Sequence, residues 1–195
     1  SKIFSVAENT VTKDMRRMAK VINFGILYGM GINALKQNLG TSKEQAQKFY
    51  ASYFETFPGL AKYLDNTKKQ AKKRGFTETF FGRRRYFPAI NSPLPYIASA
   101  EERQAINAPI QGTSADIIKR AMVSIDSILQ EKKSAEDAHL VLQIHDELIY
   151  EIREECVEKI APLIRTQMEE SIIAPIPFVV DVSVGYNWGE MKRLD

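Results

Sequence analysis

Four residues near the N-terminus follow one another at intervals of four and have side chains suited to a nucleotide: Arg16, Lys20, Phe24 and Tyr28. In an α-helix each such step advances about 6 Å with about 40° of drift, so the four share one broad face that spans about 18 Å. The cations could hold phosphates while the rings pack on a sugar and a base. An amphipathic helix with its rings in the core and its cations in water fits the same spacing, so both interpretations stay open at this point.

A second candidate is the tripeptide His145-Asp146-Glu147, which stands between two β-forming runs, 140–144 and 148–152. A carboxylate at a strand turn suits a hard divalent cation, which prefers oxygen ligands held at fixed distance. Taken alone, such a tripeptide is more typical of a solvated hairpin tip. A zinc site is not expected, because no second His or Cys stands at metal spacing, and His139 is expected at the surface.

Arg103, Asn107 and Gln111 also step by four. Pro109 lies within the second interval, so regular helix geometry cannot be assumed across it. From the residue types alone, these side chains could equally satisfy the polar groups at a helix end.

Charge is distributed unevenly along the chain. The formal net charge is +3, but residues 62–85 hold nine basic and two acidic residues, whereas residues 131–170 hold eleven acidic and five basic residues. A basic part that follows a polyanion and an acidic part that holds cations would give this pattern, as would solvated helix faces.

The surrounding elements read as an α+β order. Thr12 is a predicted N-cap, and Thr41 with Glu44 resembles a capping box. The first predicted helix runs from Thr12 to about Leu27 and ends before Gly29 and Gly31, and a second follows Thr41 with a core-packing stripe of Phe49, Tyr50, Tyr53 and Phe54. A lysine-rich helix ended by Gly75 comes next, followed by a strand at 76–81, a turn at 82–85 and a loop at 91–95. The remaining predicted elements are helices at 98–107 and 114–129, strands at 140–144 and 148–152, a helix at 154–171 and a strand at 178–184.

Composition limits the class of protein. The chain has 195 residues, of which 44% are hydrophobic and 26% charged, which indicates a globular chain with one domain or two subdomains. No apolar run approaches the roughly 18 residues of a membrane span, and Ser1 to Phe4 do not begin a secretory signal. Cys156 has no partner for an internal disulfide and is interpreted as an inert thiol in a reducing compartment.

Three segments in order resemble the motifs of family A DNA polymerases of the bacterial DNA polymerase I type. Residues 16–29 resemble the nucleotide-binding helix, residues 103–113 the segment joining fingers to palm, and residues 143–148 the palm metal motif. The resemblance extends from Ser1 to about Trp188. It implies a helical fingers subdomain over residues 1–105, followed over residues 106–195 by part of an antiparallel palm sheet with packed helices.

The resemblance also implies roles for the candidate residues. Arg16 and Lys20 would contact the triphosphate of the incoming deoxynucleotide, with Lys20 also a proton donor to pyrophosphate, and Phe24 and Tyr28 would shape the sugar and base-pair pocket. The DNA-facing set would be Arg103, Asn107 and Gln111 beside the minor groove and His145 near the primer terminus. Asp146 would be the catalytic metal ligand, and Glu147 beside it would be a further metal residue.

Cofactor and partners follow from the same resemblance. The complete enzyme would use two Mg²⁺ ions, primer-template DNA and deoxynucleoside triphosphates, would act without a membrane, and would be a monomer in the cytoplasm, associated with the nucleoid if bacterial. Two metals need paired carboxylates. In the family the partner Asp lies in an upstream strand motif, which Asp181-Val182-Ser183 matches poorly and in the wrong order.

The chain is therefore expected to be a C-terminal fragment of a polymerase that is inactive by itself. Two other classes stay open. A single-subunit RNA polymerase has similar Lys and Tyr spacing in its nucleotide-binding helix, although the run through Phe24, Tyr28 and residues 103–111 resembles the DNA enzymes more closely. The second class that stays open is a noncatalytic DNA-binding module derived from a polymerase.

Overall fold

The computed structural model describes residue 4 and residues 6–194. Residues 1–3, 5 and 195, at the ends of the predicted fingers and palm segments, lie outside the described residues. The α+β class is confirmed. The described elements are α1 (Lys13–Leu27), α2 (Ile32–Leu39), α3 (Lys43–Thr56), α4 (Pro58–Arg74), β1 (Phe76–Glu78), β2 (Arg84–Tyr86), α5 (Pro95–Glu131), β3 (Ala138–Ile144), β4 (Glu147–Ile152), α6 (Val157–Glu169), β5 (Val182–Val184) and β6 (Lys192–Leu194).

The chain divides into two compact units, Ser1–Ile110 and Gln111–Asp195. The division falls inside α5, five residues beyond the predicted boundary between fingers and palm. Among the described residues, each of the three sheets consists of two antiparallel strands: β1 with β2, β3 with β4, and β5 with β6.

The N-terminal unit is built around a core of buried residues from α1, α2 and α3, namely Ile22, Ile26, Leu35, Ala46 and Tyr53. The predicted start of α1 is confirmed, because the Thr12 side chain accepts a hydrogen bond from the Met15 amide (3.2 Å). The aromatic stripe of α3 packs against this core as predicted. A second core cluster joins α4 and α5 through Ala71, Phe87, Ile90, Ala105 and Ala108.

Two predicted details in this unit are wrong. The N-cap of α3 is Ser42 rather than Thr41, because the Ser42 hydroxyl accepts from the Gln45 amide (3.2 Å) while the Thr41 hydroxyl bonds the Gln45 side chain. The predicted turn at 82–85 also contains strand residues, since Arg84–Tyr86 form β2 and pair with Phe76–Glu78, which shortens the strand predicted at 76–81.

The two helices predicted around Pro109 are one helix of 37 residues, α5. Proline removes one amide hydrogen but has a backbone φ compatible with a helix, and burial on both sides can offset that loss. Ala105 and Ala108 are buried before Pro109, and Ala121, Ile125 and Leu129 are buried after it. Burial of these residues therefore stabilises α5 as one continuous helix across Pro109.

The C-terminal unit has its core at Ala121, Ile125, Leu129, Ala138 and Ile160, which come from α5, β3 and α6. The predicted hairpin of β3 and β4 is confirmed. The last predicted helix is shorter, because its first turn is a 3₁₀ helix and α6 ends at Glu169. The last predicted strand is also shorter, and β5 pairs with a strand that the sequence pattern did not predict, β6. None of the described helices is long and apolar enough to span a membrane.

Candidate functional site

Helix α1 has an apolar side and a solvent side. Ile22 and Ile26 are completely buried. Arg16 and Lys20 are exposed, and the Phe24 residue is 42% exposed to solvent. Tyr28, at the C-cap, is half-buried, and its ring stacks near that of Phe24 with centroids 6.2 Å apart and planes 17° apart. The structure thus brings all four predicted residues onto one accessible face, with the charges toward the N-terminus and the rings toward the C-terminus.

The two cations of this face are available to a ligand. No described residue forms a hydrogen bond or an ion pair with the side chain of Arg16 or Lys20, whereas the neighbouring Arg17 lies 4.0 Å from Asp14 in an exposed ion pair. Lysine and arginine side chains with free donors can bind phosphate oxygens through charge-assisted hydrogen bonds. The face can therefore hold an anion at one end and flat apolar groups at the other.

A contact from α3 fixes the rotation of α1. The Tyr53 hydroxyl donates to Asn23 Oδ1 (2.5 Å), and burial raises the pKa of Tyr53. Asn23 is next to Phe24, so this bond holds the side of the helix that carries Arg16, Lys20 and Phe24 toward solvent. The sequence pattern assigned Tyr53 to core packing only, and nothing in the spacing pointed to Asn23 as its partner.

Residues 101–104 form a heavily anchored turn of α5. Glu101 accepts from the Ala89 amide (3.1 Å), Glu102 pairs with Lys72 (2.6 Å) and Lys68 (3.9 Å), and Gln104 accepts from Arg85 (2.6 Å). Arg103 and Gln104 are the exposed residues of this turn, and the Arg103 guanidinium has no hydrogen bond or ion pair with a described residue. Polar partners thus hold the backbone, while no described residue holds the Arg103 head.

The other two residues of the predicted DNA-facing set also lie on α5. Asn107 is half-buried, and its Oδ1 has no hydrogen-bond partner among the described residues. Gln111 is exposed and belongs to the C-terminal unit. Because α5 is continuous through Pro109, the four-residue spacing of Arg103, Asn107 and Gln111 lies on one helix.

The tripeptide 145–147 caps the β3–β4 hairpin. Ile144 pairs with Glu147, so His145 and Asp146 form a two-residue loop. His145 has a φ of 52°, which non-glycine residues seldom adopt and which is over-represented at functional sites. Gln143 Nε2 donates to the His145 carbonyl (2.7 Å) and helps hold the loop.

The carboxylates of Asp146 and Glu147 are exposed at this loop. In β4 the alternate residues Leu148, Tyr150 and Ile152 pack against the core, so Glu147 projects from the opposite face.

Burial, with a smaller effect of Asp126, raises the pKa of Tyr150 to about 12, which keeps its phenol neutral.

The donor chemistry of the loop fits Mg²⁺, because carboxylate oxygens are its preferred protein ligands. Asp146 and Glu147 are, however, too few ligands to form a complete magnesium site. Within residues 4 and 6–194, no group of three or more His, Cys, Asp or Glu side chains could hold a metal ion. Asp146 and Glu147 can therefore supply part of a magnesium site, and further ligands are needed.

The basic stretch is partly neutralised by ion pairs, one set of them with an acidic residue outside the stretch. Glu102, outside residues 62–85, pairs with two of its lysines. Glu78 accepts from Arg74 (2.8 Å) and Arg84 (2.9 Å), whose hydrogen bonds hold the pKa of Glu78 below its usual value. Both guanidiniums lie over the Phe76 ring, at 4.2 and 4.6 Å from its centroid. The positive surface is smaller than the sequence indicated.

Residues 1–190 match the protein family described as DNA polymerase family A. DNA polymerase I of Pseudomonas aeruginosa is 46% identical over 190 residues, covering 97% of this chain and 21% of that protein. The thermostable DNA polymerase I of Thermus aquaticus is 40% identical over 193 residues, covering 99% of this chain and 23% of that protein. The chain belongs to DNA polymerase family A.

A solved structure supports the fold. The POL domain of Pol1 from M. smegmatis, in complex with DNA primer-template and dNTP, aligns with a TM-score of 0.86 and 38% identity, over 91% of this chain and 31% of that chain. The chain spans about a fifth of the length of the curated relatives that it matches.

Proposed function

We propose that this segment works within a DNA-directed DNA polymerase, a nucleotidyltransferase that adds deoxynucleotides to a primer 3′ end. The observation that carries the proposal is the face of α1, where two cations without partners among the described residues precede a pair of stacked rings. The family assignment favours a DNA polymerase over a single-subunit RNA polymerase or a noncatalytic module. Residues 1–105 would serve as fingers and residues 106–195 as the later part of the palm.

The cations of α1 would bind the substrate triphosphate. Arg16 and Lys20 donate hydrogen bonds to its phosphate oxygens, where negative charge increases as the leaving group departs. Lys20 can also give a proton to the departing pyrophosphate oxygen. Phe24 and Tyr28 bound the space for the sugar and the new base pair and help exclude water.

DNA contacts would come from the second set. Arg103, Asn107 and Gln111 can donate to minor-groove acceptors that all correctly formed base pairs present, which tests pair shape without reading sequence. His145 would lie near the primer terminus. Phosphate contacts from this basic stretch, including Lys62 and Lys73, which have no ion pair with a described residue, would add affinity that depends on salt.

Asp146, with Glu147 beside it, would contribute ligands to magnesium binding, and the remaining carboxylate would come from another part of the polymerase. Two magnesium ions, when bound, stabilise charge on the attacking and leaving oxygens. The residues of this chain hold and orient the substrates around that site. We propose that the complete polymerase is monomeric, works in the cytoplasm and needs no membrane.

Replacing Lys20 with Ala in a polymerase containing this segment tests the proposal. Since Lys20 would contact the triphosphate and not the duplex, we expect incorporation turnover to fall by about 10²–10³-fold with primer-template Kd changed less than about twofold. Lys36→Ala removes the same charge from exposed α2 and should leave turnover close to the unmodified enzyme. Normal turnover with weakened duplex binding in Lys20→Ala would contradict the assignment.

A further inference from the structure

Gly29 brings the end of α1 into close contact with α5. It directly follows Tyr28 and has a φ of 84°, in the left-handed region. A Cβ at Gly29 would lie 2.9 Å from Arg103 Cγ, 3.1 Å from Ile106 Cδ1 and 3.5 Å from Arg103 Cδ. The first distance is shorter than side-chain carbons tolerate, so the missing Cβ makes room for the hydrocarbon stem of Arg103.

Other glycines with positive φ provide a contrast. At Gly40, Gly75 and Gly82, a Cβ would meet no described atom within 4 Å, apart from the adjacent chain. Those positions need glycine for backbone conformation alone. Among the described glycines with positive φ, Gly29 adds a close contact with another element.

The direction of Arg103 depends on this contact. Its guanidinium has no hydrogen-bond or ion-pair partner among the described residues, so no polar bond to that part of the chain aims it. The flanking residues Glu102 and Gln104 are held by Lys72 and Arg85, which fixes the α5 backbone on its other side. The contact that can orient the Arg103 guanidinium is therefore the packing of its hydrocarbon chain against Gly29.

We propose that Gly29 is a positioning residue that aims Arg103, and that it couples the nucleotide-binding face of α1 to the DNA-contacting face of α5. This inference rests on the proposed function. Gly29 is one residue from Tyr28, so a displacement of the α1 end when a nucleotide binds changes the space available to the Arg103 stem. A correctly placed nucleotide and a correctly placed Arg103 head thereby favour each other.

The test uses a polymerase containing this segment, with the variants Gly29→Ala, Arg103→Ala and both together. Arg103→Ala removes Cγ and Cδ and so removes the shortest contact with a new Cβ, while the contact with Ile106 Cδ1 (3.1 Å) stays in both backgrounds. Gly40→Ala is the matched control, because it has a similar positive φ (61°) without the neighbouring atoms. The measurements are single-turnover incorporation at matched and mismatched primer ends, duplex Kd and thermal unfolding.

We expect Gly29→Ala to lower incorporation at a matched end by about 10- to 100-fold and at a mismatched end by less, because misplacing a contact group has effects of this order. Gly40→Ala should stay within about threefold of the unmodified enzyme. In the Arg103→Ala background, Gly29→Ala should cost no more than about threefold, since coupled residues are not additive. Should Gly29→Ala not fold, Gly29→Asn still introduces a Cβ at a residue type that tolerates positive φ, and the same results are expected.

Two outcomes would overturn the inference while leaving the proposed function intact. One is an equal loss from Gly29→Ala in both backgrounds, with Arg103→Ala itself impaired; the other is a Gly29→Ala variant that behaves like Gly40→Ala. An Arg103→Ala variant with normal incorporation would refute the DNA-contacting role of Arg103, and the coupling with it.

Discussion

Individual side chains of α1 serve two different purposes, some packing in the core and others facing solvent. Ile22 and Ile26 are buried in the core, while Arg16, Lys20 and Phe24 face solvent. A ring of this size in contact with water loses part of the free energy that its burial would provide. Its exposure beside two cations that no described residue pairs with favours a ligand-binding role over core packing.

Phe24 allows a prediction about the sugar pocket. Its ring lacks the hydroxyl that a tyrosine would bring close to the sugar 3′ position, so we expect the polymerase to discriminate against dideoxynucleotides. Phe24→Tyr should reduce that discrimination by at least about tenfold. The measurement is competitive incorporation of deoxy and dideoxy substrates, with the conservative Tyr50→Phe on α3 as a control. An unchanged selectivity ratio in Phe24→Tyr would contradict the pocket geometry.

The spacing of residues in sequence was enough to predict local features of this site. Thr12 caps α1, and the intervals of four place the candidate residues on one helical face, because both depend on neighbours in the chain. Contacts that depend on tertiary packing could not be predicted in this way. The bond from Tyr53 to Asn23 joins residues 30 positions apart, and the approach of Arg103 to Gly29 joins residues still further apart.

At the scale of elements, α5 shows how packing can outweigh a local signal. Pro109 and Gly112 are strong indicators of a helix break, and the sequence accordingly predicted two helices. Buried residues on both sides of the proline hold one continuous helix instead. The same reason explains the shorter strand at 182–184, because its length is set by pairing with β6 and not by the apolar run before it.

Glu169 links α6 to the chain that precedes β5, and this contact predicts a pH dependence. Its carboxylate accepts from the Val180 amide (3.0 Å) and from Arg165 (3.2 Å), and these bonds lower its pKa, the Val180 bond having the larger effect. A pKa lowered in the folded state contributes stability above the unfolded pKa of about 4.3, which is lost as pH falls through the folded pKa.

We therefore expect Glu169→Gln to lower the Tm of the 195-residue chain at pH 7 and to have a progressively smaller effect below about pH 4.3. Thermal unfolding followed by circular dichroism between pH 3 and pH 7 measures this. Glu170→Gln changes the exposed neighbour in the same way and should alter Tm little at any pH. A Glu169→Gln effect that is constant across the pH range would contradict the lowered pKa of Glu169.

At the scale of the whole molecule, charge is organised by contacts between elements as well as by sequence blocks. The stretch 62–85 is strongly basic by count, yet Glu102 and Glu78 each hold two of its cations. Lys62 and Lys73, which have no ion pair with a described residue, can still bind phosphate, and the number of phosphate contacts sets how steeply binding depends on salt.

The isolated chain should bind DNA weakly and should not extend a primer. Binding should weaken with rising salt, because its source is phosphate contact, and the slope of log K against log salt should correspond to fewer contacts than the nine basic residues of the stretch. Extension needs two metals held by paired carboxylates, and the Asp146 loop provides part of one such set. Fluorescence anisotropy across a salt series and a primer-extension assay with magnesium measure both. Binding that is insensitive to salt, or template-directed extension by the chain alone, would contradict this account.

The most direct test of the central claim is Asp146→Asn in a polymerase containing this segment, because it keeps the size of the side chain and removes the charge that would bind magnesium. We predict that primer extension falls by at least about 10³-fold while primer-template affinity changes less than about threefold. Glu151→Gln, exposed on the same hairpin, is the matched control and should extend primers normally. Primer extension by Asp146→Asn at the rate of the unmodified polymerase would contradict the claim that this loop serves the catalytic site.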